Sequence, residues 1–196
     1  MSLTNDAVIR EALIAQLSEK YSSSQYRIIP ELGVQHGAAR IDVAIVNGIL
    51  HGFEIKSDKD TLLRLRDQRD YYNHVFDQVT LVVGKTHLFD AIKIVPDWWG
   101  LQLAKKIEDG SVIFQTIREA RDNQFQDGVS VARLLWRQEA LDLLENMGQA
   151  KGVRSKPREE VYVRLANSLE LEPLKQRVRH VLQYCRQDWR SDAQPV

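Results

Sequence analysis

The chain has 196 residues, 43% of them hydrophobic and 28% charged, a composition that suits a water-soluble globular protein of one large domain or of a domain with an appended subdomain. No apolar run approaches the roughly 18 residues a membrane helix needs, and the N-terminus lacks the basic-then-apolar pattern of a signal peptide, so a cytoplasmic location is expected. Cys185 is the only cysteine, which excludes an internal disulfide and a cysteine-rich zinc site. The formal net charge of zero conceals an imbalance: residues 151–196 hold ten basic and six acidic side chains, a net of +4, which leaves −4 on residues 1–150. An acidic body with a basic tail-piece suits a cation site beside an anion-binding surface, though solvated basic helix faces account for the imbalance equally well.

In chain order, Thr4 or Asn5 can cap a first helix to about Lys20, with Val8, Ile9, Ala12, Leu13 and Leu17 on one face. A short strand, Tyr26 to Ile29, follows the polar break Tyr21–Gln25 and ends near Pro30–Gly33; Gln35 to Ala39 reads as a loop. Arg40–Val46 and His51–Ser57 then form the two arms of a hairpin around Asn47-Gly48. The turn type decides which side chains share a face. A two-residue type I′ loop pairs Asp42 with Phe53 and sends Glu54 to the opposite face from Asp42. A three-residue loop, Val46-Asn47-Gly48, or equally a bulge at Gly52, sets Asp42 opposite Gly52 and on the same side as Glu54 and Lys56. The other face is then Ile41, Val43, Ile45, Ile49, Phe53 and Ile55, interrupted only by His51. Burial of that face, at roughly 1.5–3 kcal/mol per large side chain, favours the second register.

A helix is expected from about Asp60 to Phe76, with Asp58 and Asp60 as capping residues, then a buried parallel strand, Val79–Val83, and a short helix, His87 to Ile94. Trp98–Ala104 and Ser111–Ile117 read as a hairpin around Asp109-Gly110. Strands alternating with helices argue for an α/β layer structure. Beyond about residue 120 the pattern becomes all helical, with helices near Val129–Asn146, Arg158–Leu169 and Glu172–Asp188. The chain therefore divides into an α/β core, residues 1–120, and a basic helical C-terminal subdomain, residues 121–196. Gly84-Lys85-Thr86 echoes a phosphate loop, but Val79 stands where its first glycine belongs. The five histidines lack metal-ligand spacing, and His36 is a loop residue with an outside prospect of touching phosphate. Trp98, Trp99, Trp136 and Trp189 read as packing anchors.

Asp42 followed by Glu54-Ile55-Lys56 on a hairpin, then a helix with Gln68, Tyr71 and Tyr72, resembles the PD-(D/E)xK nuclease superfamily over roughly residues 5–84. The longer run from Arg40-Ile-Asp through Glu-Ile-Lys-Ser-Asp-Lys-Asp-Thr-Leu-Leu-Arg-Leu, with Trp98-Trp99-Gly100 and Leu135-Trp136-Arg137 downstream, is similar to a small bacterial and phage branch of it. The resemblance implies a restriction-endonuclease-like fold, a mixed central sheet flanked by helices. It implies Mg²⁺, or Mn²⁺, on Asp42, Glu54 and the Ile55 carbonyl, with Glu11 or Glu31 as an additional carboxylate. Lys56 would orient the attacking water or stabilise the transition state, and Gln68 would steady Lys56 or the nucleic-acid backbone. Arg40, Tyr72, Arg158, Lys175, Arg177 and Arg179 would meet the nucleic acid, expected to be DNA.

On that footing the expected activity is metal-dependent hydrolysis of DNA phosphodiester bonds. Two alternatives stand beside it: a nucleic-acid-binding or assembly module that keeps the fold without catalysis, and a helix-turn-helix regulator built on Arg158–Asp188.

Overall fold

A computed structural model describes residues 4–186 of the chain. Its elements are α1 (Asp6–Lys20), β1 (Arg27–Val34), β2 (Ala39–Val46), β3 (Leu50–Lys56), α2 (Leu65–Asn73), β4 (Gln78–Val83), α3 (Leu88–Ile94), β5 (Gly100–Lys106), β6 (Val112–Arg118), α4 (Gly128–Ala132), α5 (Arg137–Asn146), α6 (Arg158–Asn167) and α7 (Leu171–His180). The strands form one mixed sheet in the order β1-β2-β3-β4-β5-β6. The two end pairs and the β2–β3 hairpin are antiparallel, while β3, β4 and β5 run parallel. The architecture is α/β.

Each face of the sheet is covered. Asn5 caps α1 through its side chain at 3.0 Å from the Val8 N–H. The helix lays Ile9, Leu13 and Leu17 on Val43, Ile45, Phe53 and Ile55. The opposite face carries Val46, Leu50, Val79, Leu81 and Leu101 against Leu65 and Tyr72 of α2 and against Leu144, Leu165 and Leu174 of the C-terminal helices, with Leu135 from the bend between α4 and α5. Helices from residue 128 onward thus close the same apolar core as α2. Ile41 belongs with this second cluster, not with Val43 and Ile45 as the strict alternation implies. Gly52 makes room for it, since a Cβ there would lie 2.4 Å from Ile41 Cδ1.

Several boundaries differ from the sequence reading, each for a local reason. The first strand runs on to Val34, through Pro30, which is tolerated because β1 is a sheet edge. The helix expected from Asp60 starts only at Leu65, because Asp60 folds back onto the Ser57 N–H and hydroxyl at 2.7 and 2.6 Å. Asp58 likewise caps no helix. It binds the main-chain N–H and hydroxyl of both Thr4 and Thr86, which gives the Gly84-Lys85-Thr86 segment a structural role. The expected helix 129–146 is two helices, because the Glu139 carboxylate accepts the Trp136 N–H and restarts the chain as α5. The third C-terminal helix begins at Leu171 and passes into a π turn at Val181–Cys185; its expected end at Asp188, and Trp189, lie outside the described residues.

Asp77, at the foot of β4, ties the C-terminal layer to the sheet. Its buried carboxylate accepts the Leu50 N–H at 2.7 Å and pairs with Lys175 at 2.7 Å and Arg179 at 3.1 Å, both on α7. Removing one member of a buried pair strands the others, at about 3–5 kcal/mol. Asp77→Ala is therefore expected to lower stability by about 3 kcal/mol in urea titrations, and Tm by roughly 6–12 °C. Asp77→Asn, which still accepts from Leu50, should cost less. An unchanged Tm in Asp77→Ala would show that α7 does not depend on this tie.

Candidate active site

The hairpin turn is three residues long, as burial requires, but it is Asn47-Gly48-Ile49 and not Val46-Asn47-Gly48. The Asn47 N–H donates to the Ile49 carbonyl at 3.1 Å, and Gly48 takes the left-handed φ of +98° that a side chain disfavours. The closing pair is then Val46 with Leu50, both buried, and the ladder continues to Val43 with Phe53. Relative to the expected register the arms slide by two positions, which keeps Val43, Ile45, Phe53 and Ile55 on one face, while Ile41 departs from it. Asp42 comes to lie across from Glu54, not from Gly52.

Beyond Val43 and Phe53 the two strands part. The Asp42 Oδ2 atom accepts the Ile55 N–H at 2.7 Å, so a side chain replaces a ladder bond. The Lys56 carbonyl accepts from Gly84 on the β4 side. By the alternation of a strand the peptide groups of Ile55, its carbonyl included, point toward β2.

Glu54 is buried, with Lys56 Nζ 2.5 Å from its Oε1. The Tyr72 hydroxyl lies 2.8 Å from Glu54 Oε2 and 2.7 Å from the Arg40 carbonyl, two acceptors facing one phenolic proton. The Gln68 amide nitrogen is 3.4 Å from the same hydroxyl, and its Oε1 is buried without a hydrogen-bond partner. Arg10, from α1, spans three carboxylates: Asp42 at 3.0 Å, Asp6 at 2.8 Å and Glu31 at 2.9 Å. Its Nε is likewise buried and unpartnered.

Asp6, Arg10, Glu31, Asp42, Glu54, Lys56 and Gln68 line one cavity of about 630 Å³ at the parting of β2 and β3, with Tyr72 buried behind Glu54. Its walls carry six carboxylates (Asp6, Glu31, Asp42, Glu54, Asp60, Asp67) against four cations (Arg10, Arg40, Lys56, Arg64), a formal charge of −2. Burial first, and the charge of Glu54 second, push the Asp42 carboxyl up to about 7, against the Ile55 N–H that pulls it down. Burial also raises Glu54, opposed by Lys56, Tyr72 and Gln68, and raises Asp6 in spite of Arg10. Two neighbouring carboxylates, one half-buried and one buried, are thus held above their ordinary range, chiefly by burial, as happens at many functional sites.

The structure therefore brings Asp42, Glu54, Ile55, Lys56, Gln68, Glu31 and Arg40 to one cavity. Glu31 takes a left-handed φ of 53° and pairs with Arg10 and Arg40. Several expected members fall elsewhere. Glu11 is exposed on α1 and does not line the cavity. Tyr72 cannot contact a nucleic acid through its ring, which is fully buried and 6.2 Å from the Trp99 ring. Lys175 and Arg179 are occupied by Asp77 and Glu172, which also removes two basic residues from a helix-turn-helix reading. Arg158 and Arg177 are exposed on α6 and α7, away from the cavity lining. His36 packs on Tyr162, with rings 5.4 Å apart, beside Glu159.

Asp6 and Arg10 were not singled out by sequence. The signal was present: Leu17, Leu13, Arg10 and Asp6 recur at i,i+3 and i,i+4 spacing, so the sheet-facing stripe of α1 continues as charge over the cavity. Glu11 lies off that stripe.

Among the described residues no three His, Cys, Asp or Glu side chains are gathered as a metal-holding group. The donor set that does converge is all oxygen, two carboxylates and a main-chain carbonyl, and an oxygen set suits a hard divalent cation that keeps several waters.

A family model described as bacteriophage P4 protein cII matches residues 1–192. Among curated proteins, "Protein cII" of Enterobacteria phage P4 is 32% identical over 146 residues, which cover 74% of this chain and 55% of that protein. The chain thus spans about half the length of that relative. No solved structure matches the chain. The chain belongs to the bacteriophage P4 protein cII family.

Proposed function

We propose that the cavity is the active site of a metal-dependent nuclease, with a restriction-endonuclease-like core, that hydrolyses DNA phosphodiester bonds. The observation that carries this reading is the convergence of the half-buried Asp42 and the buried Glu54, both raised in pKa, beside Lys56 at the point where two strands part. Asp42, Glu54 and the Ile55 carbonyl would hold Mg²⁺ or Mn²⁺. Such an ion, when bound, lowers the pKa of a ligated water and neutralises charge growing on the phosphate.

The chain's own groups do the rest. Lys56 shares a strand with Glu54, two residues on, so its ammonium is fixed beside the carboxylates and can donate to the attacking water or to a phosphate oxygen. Tyr72 fixes the Glu54 carboxylate from below, and Gln68 offers an unpartnered oxygen to the same space. Arg10 is held by carboxylates from three elements and can turn its free Nε to a phosphate.

One observation favours a second reading, a nucleic-acid-binding or assembly module without catalysis. Arg10 and Lys56 already sit on the two carboxylates that a metal would use, and among the described residues no three acidic or histidine side chains are gathered as a metal-holding group.

Two measurements separate the readings. With Mg²⁺ or Mn²⁺, the wild-type chain should nick plasmid or degrade single-stranded DNA. Asp42→Asn and Lys56→Ala should each lower the rate by about 10²-fold or more, as loss of one electrostatic group in an active site does. DNA binding with no cleavage under either metal would leave the second reading.

The pH dependence tests the carboxylate directly. Asp42 must be ionised to bind a cation, and with its pKa near 7 the ionised fraction falls about tenfold per unit below that value. The rise in Tm produced by Mn²⁺ should therefore be larger at pH 8 than at pH 6, and absent in Asp42→Asn. In metal-free protein the sign reverses, because a carboxyl raised from 3.8 to about 7 in the fold destabilises it when ionised. Wild type should then gain stability relative to Asp42→Asn as pH falls from 8 toward 5.

A further inference from the structure

A second hollow, of about 600 Å³, lies at the same edge of the sheet. The parallel strands β3, β4 and β5 end there together; Lys105 and Lys106 belong to the last residues of β5, and Lys85 follows β4. The floor is apolar, formed by Leu88, Leu103 and Ala104. Phe89 stands over it with 78% of its surface exposed and no ring partner among the described residues. A single exposed aromatic ring needs no account by itself; what distinguishes this one is that three lysines line the same groove.

We propose that this groove binds single-stranded nucleic acid, with Phe89 stacking on a base and Lys85, Lys105 and Lys106 holding the phosphates. Charge complementarity is the first argument. Lys85 and Lys106 form no ion pair among the described residues, and Lys105 touches only the neutral amide of Gln115. The one carboxylate in the lining, Asp58, already accepts four hydrogen bonds from Thr4 and Thr86, which hold it against the wall. A polyanion with flat, unpaired bases matches three cations and one exposed aromatic face.

Placement is the second argument, and it distinguishes a nucleic acid from an acidic amphipathic peptide, which would also suit an apolar floor rimmed by lysines. The groove and the carboxylate cavity share their dividing wall. Thr4 and Asp58 line the groove, whereas Asp6, Lys56 and Asp60, from the same two segments, line the cavity. A strand whose phosphate lies at Asp42 and Glu54 has the Phe89 groove directly over that wall. A duplex keeps its bases stacked inside, so an aromatic platform selects an unpaired strand. The inference deepens the proposed hydrolase by naming its substrate as single-stranded, and for that part it rests on that reading; the groove itself does not.

Binding is measured by fluorescence anisotropy of a fluorescein-labelled oligothymidylate, longer than the roughly 4–16 nucleotides one such surface covers. The full chain is titrated in EDTA, so that no cleavage intervenes. Phe89→Ala should weaken binding by about tenfold, Phe89→Tyr should restore it, and Phe89→Leu should not, because stacking and not mere apolar contact is required. Lys85→Gln and Lys106→Gln should each make the salt dependence shallower by about 0.7 in the log–log slope. A duplex of the same length should bind more weakly and be indifferent to Phe89.

Phe89→Leu binding as tightly as wild type would overturn the proposal. So would an oligonucleotide that fails to bind while a Glu- and Leu-rich peptide saturates the groove. Phe89-dependent binding without cleavage under Mg²⁺ or Mn²⁺ supports the groove and removes the hydrolytic reading. Wild-type cleavage of single strands by Phe89→Ala at limiting substrate removes the groove and leaves the cavity reading intact.

Discussion

Past Val43 and Phe53, β2 and β3 no longer exchange main-chain hydrogen bonds, and the Ile55 N–H is taken by the Asp42 carboxylate instead. A buried N–H left unpaired costs about 1–3 kcal/mol, so the substitution of side chain for ladder is what allows the strands to part without loss. It also fixes the carboxylate in a poorly hydrated position, where its charge is disfavoured until a cation is nearby. The rest of the site answers that need. The stripe of α1 that seats Leu13 and Leu17 on the sheet brings Arg10 to Asp42, and the strand that carries Glu54 carries Lys56 two residues on. Packing of an apolar stripe and the pleat of one strand therefore place both compensating charges.

The opposite end of the sheet shows the same logic with a different outcome. Asp77 is also buried, but Leu50, Lys175 and Arg179 surround it, and Glu172 completes the network from α7. Nothing is left over for a ligand to supply. A saturated carboxylate joins two layers; an under-compensated one makes a candidate site. The contrast also explains why the basic C-terminal residues do not form the anion-binding face that their number suggests. Lys175 and Arg179 hold Asp77, and Arg186 is buried against Glu139 and the Trp136 ring, where it helps define the end of the helical layer.

Much of this was legible in the sequence, for identifiable reasons. The α/β class followed from alternating periodicities, and the apolar alternation around Asp42 and Glu54 pointed to their meeting. A shift of two in the pairing keeps the alternation from Val43 to Val46, but at Ile41, beside Asp42, the side chain crosses to the α2 cluster, so the two acids meet where the strands part and not through simple alternation. What stayed hidden depends on contacts distant in sequence. Nothing local says that Asp58 would bind Thr4 and Thr86 instead of capping α2, or that Tyr72 would turn its hydroxyl to Glu54 from beneath. The choice of Glu11 over Asp6 and Arg10 has a simpler cause. Glu11 follows from the resemblance alone, which asks only for an acidic residue on the first helix, whereas the charged continuation of the α1 stripe covers the cavity.

The charge of the cavity bears on the two readings of its function in a way that geometry alone does not. Six carboxylates face four cations, and the imbalance of two remains after Arg10 and Lys56 are counted. Burial first and the charge of Glu54 second hold Asp42 near 7, and an excess of negative charge repels the phosphates that a module for binding alone must grip. A divalent cation removes the excess, and a single-stranded nucleic acid could then approach. The two cations present are not equivalent in this respect. Lys56 is bound to its place by the strand, whereas Arg10 reaches in from another element and divides one guanidinium among three acids. If a metal enters, Arg10 is the group free to yield Asp42, because Asp6 and Glu31 still hold it at the rim. There it would add positive charge where the phosphate of the proposed substrate would lie.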